Sequence, residues 1–264
     1  MSNVLVIAGT MDAKQIIDKL YKMGEKVTVM VTTKLGSELI DHDDSIDIYQ
    51  GKINKVSIID IIDKVQPKCM IDASNPFAVD ISRNVISACK LTEIPYIRFL
   101  REKVTYEGYD IVRVKDYEEA YECILEYEGN IILTLGSKKI ETFTKIPDYQ
   151  NRVYLRVLPD WMVLKKCEKL EFNSRNIIAM KGPFNEELNA EIFKYCNASV
   201  LVTKDSGNTG GVIEKINAAR KLGIKIIMID RSDENYENKT TSIEEIIDFV
   251  KGISIKTKLR KDKK

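Results

Sequence analysis

The residues best suited to chemistry lie in one stretch, Leu201 to Lys215, LVTKDSGNTGGVIEK. It opens apolar and β-branched, as a buried parallel strand does. It then breaks into Lys204, Asp205, Ser206, Gly207, Asn208, Thr209, Gly210 and Gly211. Val212, Ile213, Ile216 and Leu222 follow at helical spacing. A strand therefore ends in a tight polar loop that opens a helix. Glycines let backbone N–H groups approach an anion, and a helix N-terminus adds partial positive charge. The same composition serves a plain strand–helix turn, and spacing alone does not choose between the two.

Several other chemistries are missing. The only histidine, His42, sits in an Asp-rich loop, which removes Ser-His-Asp and Cys-His mechanisms. There is no Gly-x-x-x-x-Gly-Lys-Ser/Thr loop, no Gly-x-Ser-x-Gly elbow, and no tyrosine followed four residues on by lysine. Cys69, Cys89, Cys123, Cys167 and Cys196 form no Cys-x-x-Cys pair, so no metal site or thiol redox motif is expected. Reduced core cysteines are the expected use. Few side chains can do acid–base work, and such a protein can still catalyse a reaction if a cofactor carries the hard step.

The elements that must position such loops alternate along the chain. Val4 to Ala8 reads as a buried strand, Gly9-Thr10-Met11 as its turn, and Asp12 as a first-turn helical carboxylate. Ala13, Ile16, Ile17, Leu20 and Met23 share one helical face, and Gly24 closes it. Lys26 to Thr32 is the next strand. This is a βαβ opening with only Gly9 of the usual three dinucleotide-binding glycines. Further strands are expected at Ile46–Tyr49, Cys69–Ile71 and Ile94–Leu100. Asp72 to Ala78 forms a turn around Asn75-Pro76.

Glu102 to Gly108 is polar and reads as a linker, after which the alternation restarts. Strands are expected at Ile111–Val114, Ile131–Thr134, Val153–Val157, Ile177–Met180, Val200–Thr203 and Ile226–Ile229. Helices are expected near Glu118–Glu126, Lys138–Phe143, Trp161–Cys167, Glu186–Tyr195, Gly211–Leu222 and Ile243–Val250. Such alternation implies an α/β fold with parallel sheets covered on both faces. The expected division is a first domain over 1–101, a second over 102–252, and a basic, disordered tail over 253–264.

The 264 residues are 31% charged and 44% hydrophobic with a net charge of +1, an ordinary soluble mix. Neither nucleic acid nor membrane is indicated as a partner. No apolar run spans a bilayer, and MSNVLVIAGT lacks the basic n-region of a signal peptide. A cytoplasmic location is expected. The sequence carries no signal for oligomeric state.

A series of loops resembles the precorrin-6A reductase family, the pyridine-nucleotide-dependent enzymes of cobalamin biosynthesis. The series is VIAGTMDA (Val6–Ala13), DASNPFA (Asp72–Ala78), IPYIRFLR (Ile94–Arg101), LTLGSK (Leu133–Lys138), RVLP (Arg156–Pro159), KGPFNEELN (Lys181–Asn189) and TKDSGNTGGVIEKINAA (Thr203–Ala219). Its order and spacing are specific. The chain departs from the family pattern at Ala8 for glycine, Asn75 for histidine, Glu102 for proline, and Asn208-Thr209 for Gly-x. Asn75 keeps a hydrogen-bonding side chain and loses a titratable one, so the position reads as binding.

The resemblance implies two Rossmann-like domains with a ligand cleft between them. It implies NAD(P)H-dependent reduction of one ring double bond of precorrin-6A or its cobalt form, a tetrapyrrole, to the 6B product. Gly9, Thr10, Met11, Ser74, Asn75 and Pro76 are then assigned to the nucleotide. Thr32-Thr33-Lys34 offers no carboxylate for a bare ribose, so Thr32 and Lys34 favour NADPH over NADH. The polycarboxylate substrate calls for cations, and Arg98, Arg101 and Lys181 are assigned to it with Ser206, Gly207, Gly210 and Gly211. Lys204 and Asp205 are the expected catalytic pair, the proton coming from Asp205 or water. A non-catalytic nucleotide-sensing module, and a nucleic-acid-associated protein using the basic tail, are the two alternatives of other classes.

Overall fold

The computed structural model describes residues 3–40, 46–207, 210–232 and 234–261, with side chains to Ile253. His42 and the Asn208-Thr209 pair lie outside the described residues. The chain divides into two compact units, one formed by residues 1–102 with 233–264, the other by 103–232.

The first unit runs β1 (Asn3–Ile7), α1 (Met11–Lys22), β2 (Lys26–Val31), α2 (Lys34–Glu38), β3 (Asp47–Gln50), α3 (Lys55–Val65), β4 (Pro67–Asp72), α4 (Val79–Thr92) and β5 (Tyr96–Phe99). The second runs β6 (Ile111–Val114), α5 (Tyr117–Ile124), β7 (Asn130–Leu133), α6 (Tyr149–Arg152), β8 (Val153–Val157), α7 (Trp161–Lys169), β9 (Ile177–Ala179), α8 (Glu186–Tyr195), β10 (Ala198–Lys204), α9 (Val212–Lys221) and β11 (Lys225–Ile229). The chain then adds β12 (Lys239–Thr240) and α10 (Ile243–Lys261) to the first unit.

Each unit holds one six-stranded sheet, β12-β5-β4-β1-β2-β3 in the first and β6-β11-β10-β7-β8-β9 in the second. Every pairing is parallel. The centres of strands β1, β4, β7 and β10 are apolar and buried, as strands covered on both faces must be. In the first unit Ala13, Ile16, Ile17 and Leu20 of α1 join Val4, Val6, Val29 and Ile71 in one core cluster. In the second, Phe193 of α8 and Val212, Ile216 and Ala219 of α9 pack with Leu201 and Ile226.

The strand orders give each sheet one switch point, between β1 and β4 in the first and between β7 and β10 in the second. There the connections leave in opposite directions, and the loops beyond the strands' carboxyl ends stand apart as a ligand crevice. The loops so placed are Ala8–Thr10 and Ala73–Pro76 in one unit, and Thr134–Ser137 and, of the loop after β10, Asp205–Gly207 and Gly210-Gly211 in the other.

The second unit does not extend to 252. β12 pairs with β5, and Ile246, Ile247 and Val250 of α10 join the first unit's core. The edge beside β11 is filled instead by β6. A two-residue strand has no periodicity to read, which is why this return escapes sequence patterning. The backbone of α10 continues to Lys261, through most of the segment expected as a tail. Residues expected as a helix near Lys138 form a 3-10 segment, Ile140–Lys145.

Candidate functional site

In the first unit Gly9 follows β1 with φ of 119°, a conformation that side chains rarely adopt. A Cβ built there meets nothing within 4 Å, so the backbone is open to a ligand. Thr10 caps α1. Its Oγ1 accepts the Ala13 N–H at 3.1 Å and donates to the Ala73 carbonyl at 3.0 Å. The hydroxyl thereby ties the two switch-point loops together, while Met11 stays exposed. Thr33 caps the short α2 by accepting from Gly36 N–H. Gly36 carries no signal in sequence, yet its added Cβ would stand 3.6 Å from Gly9 Cα. The β2 loop is packed against the glycine turn through that missing side chain. Thr32 is exposed, and Lys34 is 81% exposed with only a loose Glu38 contact at 3.8 Å.

Arg98 is not a substrate-facing cation. It is fully buried at the end of β5, and its Nη1 donates to Asp72 Oδ1 at 2.8 Å, to Asp72 O at 3.0 Å and to Ser74 O at 2.9 Å. Asp72 also accepts from Ser74 N–H and, at 2.6 Å, from Ser82 Oγ. Arg98 therefore moulds the loop carrying Ser74, Asn75 and Pro76. Asn75 Oδ1 accepts the Phe77 N–H, a local turn bond. Arg101 is held by the buried Asp12 at 2.6 Å, so it braces the first turn of α1.

In the second unit Lys204 ends β10, and its Nζ lies 5.3 Å from the centroid of the Tyr117 ring. Burial, then the neighbouring Lys138, pushes its ammonium down to about 8. Asp205 is different. Its buried carboxylate accepts from Tyr106 Oη at 2.9 Å, Arg113 at 3.3 Å and Arg231 at 3.4 Å. Burial, then Asp205, raises the Tyr106 phenol above its usual range, which keeps it a donor. Arg231 Nε also donates to the Asp205 carbonyl at 2.7 Å. Asp205 is the hub of a loop clamp, its carboxylate engaged by three donors from distant segments.

Gly207 and Gly211 both have positive φ, and Gly211 precedes α9 in the left-handed region. Ser206 is half-buried beside them, and Lys181 is exposed. Gly210 and Gly211 line a cavity of about 190 Å³ that also takes in Thr134, Gly136, Arg156 and Lys215. Arg156 and Lys215 are buried. Sequence reading missed them as site residues, because nothing local marks an arginine in the strand VYLRV or a lysine in a helix as inward-facing. Register was the available signal. Val202 pairs with Leu133, and Leu133 with Leu155, so Thr203, Thr134 and Arg156 share the next row and one face.

Burial pushes the thiols of Cys69 and Cys89 up to about 12, which makes them inert core residues. Among the described residues no group of three or more His, Cys, Asp or Glu could hold a metal ion. No described helix is long and apolar enough to cross a membrane.

Comparison with known proteins converges with this geometry. The family model for precorrin-6x reductase CbiJ/CobK matches residues 3–251. A cobalt-precorrin-6A reductase of Priestia megaterium is 36% identical over 246 residues, covering 92% of this chain and 96% of the relative. One from Methanothermobacter thermautotrophicus is 32% identical, covering 94% and 83%. A solved structure, CobK precorrin-6A reductase, superposes with a TM-score of 0.79 at 21% identity over 96% of this chain and 97% of that one. Twin parallel sheets, open glycine turns at their switch points and a match along nearly the whole chain lead to one conclusion: this chain belongs to the precorrin-6x reductase (CbiJ/CobK) family, oxidoreductases of cobalamin biosynthesis.

Proposed function

We propose that the chain reduces one ring double bond of cobalt-precorrin-6A with NADPH, and that Lys204 delivers the proton completing the reduction. The cobalt form is favoured because both relatives above carry it in their names. The observation that carries the nucleotide assignment is Gly9, whose positive φ and open Cβ direction make room for a pyrophosphate against the backbone. A bound reduced nicotinamide supplies the hydride. The chain's residues position and protonate.

Gly9 and the N-terminal N–H groups of α1 hold phosphate, and Thr10 fixes their direction through its two hydrogen bonds. Ser74, Asn75 and Pro76 form the facing loop, set by the buried Arg98–Asp72 pair. The end of β2 presents Thr32, Thr33 and Lys34 with no carboxylate, which suits a 2′-phosphate. Lys204, with an ammonium near 8, is charged at neutral pH and can release its proton to a carbon made basic by hydride arrival. Asp205 orders the loop that follows.

The test is an anaerobic assay pairing cobalt-containing and metal-free precorrin-6A with NADPH and NADH. Fastest loss of reduced-nucleotide absorbance with the cobalt form and NADPH is expected. No oxidation with either tetrapyrrole would remove the proposal.

A further inference from the structure

Among the described residues three cations are buried: Arg98, Arg156 and Lys215. Arg98 has Asp72 as counter-charge. Arg101, Arg231 and Lys68, only slightly more exposed, have Asp12, Asp205 and Glu25. Arg156 and Lys215 break this pattern. Arg156 Nη1 donates to the amide oxygen of Asn189 at 2.6 Å, and its guanidinium lies 4.5 Å from the centroid of the Phe184 ring. Lys215 Nζ donates to Thr203 Oγ1 at 3.0 Å. Neither meets a carboxylate among the described residues. Glu214, on the same helical turn as Lys215, acts on it through space without an ion pair.

Two like charges taken out of water together, without a carboxylate in contact, are costly. The cost is visible in their protonation. Burial pushes Arg156 down to about 10. Burial, then Arg156 and Lys204, pushes Lys215 down to about 7. The donors are nevertheless held firmly. Asn189 Nδ2 is fixed by the carbonyls of Phe184 and Asn185, at 3.2 and 2.7 Å, which turns its oxygen to Arg156. Both cations line the same cavity, with the Gly210-Gly211 backbone at its wall. At about 190 Å³ it is smaller than the roughly 300–1,000 Å³ that encloses a drug-sized molecule. It accommodates a short anionic arm and excludes a macrocycle.

We propose that this pocket binds one carboxylate arm of the tetrapyrrole, with Arg156 and Lys215 as paired donors that anchor the ring over the second sheet. The proposal rests on the tetrapyrrole reading above. The macrocycle's acetate and propionate arms match the cavity in size, and charge-assisted donors on a rigid strand and helix give orientation.

The test uses the full chain, wild type and the variants Arg156→Gln and Lys215→Gln. KM for cobalt-precorrin-6A is expected to rise about tenfold or more in each, the effect of one lost charge-assisted contact. KM for the nucleotide should stay unchanged. Separately, propionate at constant ionic strength should raise the wild-type unfolding midpoint and propionamide should not. Both variants should lose the propionate effect. Unchanged tetrapyrrole KM in both variants overturns the proposal. So does a weakened nucleotide KM with tetrapyrrole KM intact, which would give the pocket to a nucleotide phosphate. A wild type that turns over no tetrapyrrole, yet shows the propionate effect and loses it in the variants, overturns the function reading and keeps the anion subsite.

Discussion

Arg98 and Asp72, side by side on β5 and β4, form an ion pair of 2.8 Å that is sealed from solvent. The arginine also holds the backbone carbonyls of Asp72 and Ser74, so the charge pair and the loop beyond β4 are one unit. Replacing Arg98 with Met leaves Asp72 buried and uncompensated. Urea unfolding should show a loss of about 3–5 kcal/mol. Nucleotide affinity should fall with it, because Ser74 and Asn75 lose their support. A variant as stable as the wild type would mean the pair does not hold the loop.

Gly9→Ala separates backbone strain from contact. No atom lies within 4 Å of the added methyl, so the expected stability loss, about 1–3 kcal/mol, comes from φ alone. The nucleotide Kd should rise well beyond what Gly24→Ala produces. Gly24 also has a positive φ, 75°, and open surroundings, but closes α1 at its far end. Equal effects of the two variants on nucleotide binding would deny Gly9 a phosphate-binding role.

Lys204 and Asp205 should part company on mutation. Lys204→Met should lower kcat by about 10²–10⁴-fold, the usual range for a lost general acid, with little change in stability. Asp205→Ala should mainly unfold the loop clamp, leaving Arg113 and Arg231 without their shared carboxylate. In the wild type kcat/KM should fall above pH about 8, as Lys204 loses its proton in the free enzyme. The same alkaline limb in Lys204→Met would assign it to another group.

Lys215 links the pocket to stability. Its folded value, about 7, lies below its ordinary 10.5, so between these limits the unfolded chain binds more protons than the folded one. Stability should therefore rise with pH from about 7 to about 10.5, with Lys204 contributing in the same direction above about 8. Burial, then Arg156 and Lys204, drive this slope, and Glu214 opposes it. Lys215→Met should raise the unfolding midpoint at pH 7 and flatten the slope. A slope unchanged in that variant would show that Lys215 titrates normally.

Much of the scaffold is legible in the sequence because apolar runs and helical periodicities are interrupted by glycine and polar turns. The turn at Gly9 and the loop from Lys204 to Gly211 stand out for that reason. Partnerships across strands are less legible. Arg98 and Asp72 are 26 residues apart, and nothing local says that the strand-end arginine turns inward. Arg156 has no assigned role until register places it in a row with Thr134 and Thr203. Asp205 reads as the partner of Lys204 because Tyr106, Arg113 and Arg231 reach it from distant segments. The return of β12 to the first sheet rests on two residues whose pairing no pattern announces.

The most direct measurement follows the atoms. Cobalt-precorrin-6A and NADPH deuterated at nicotinamide C4, prepared separately on each face, are turned over anaerobically and the product's mass and label position are read. One face should deliver a single deuterium to ring carbon, with the second hydrogen coming from solvent. A reduced product free of deuterium from either face would contradict direct hydride transfer by this chain.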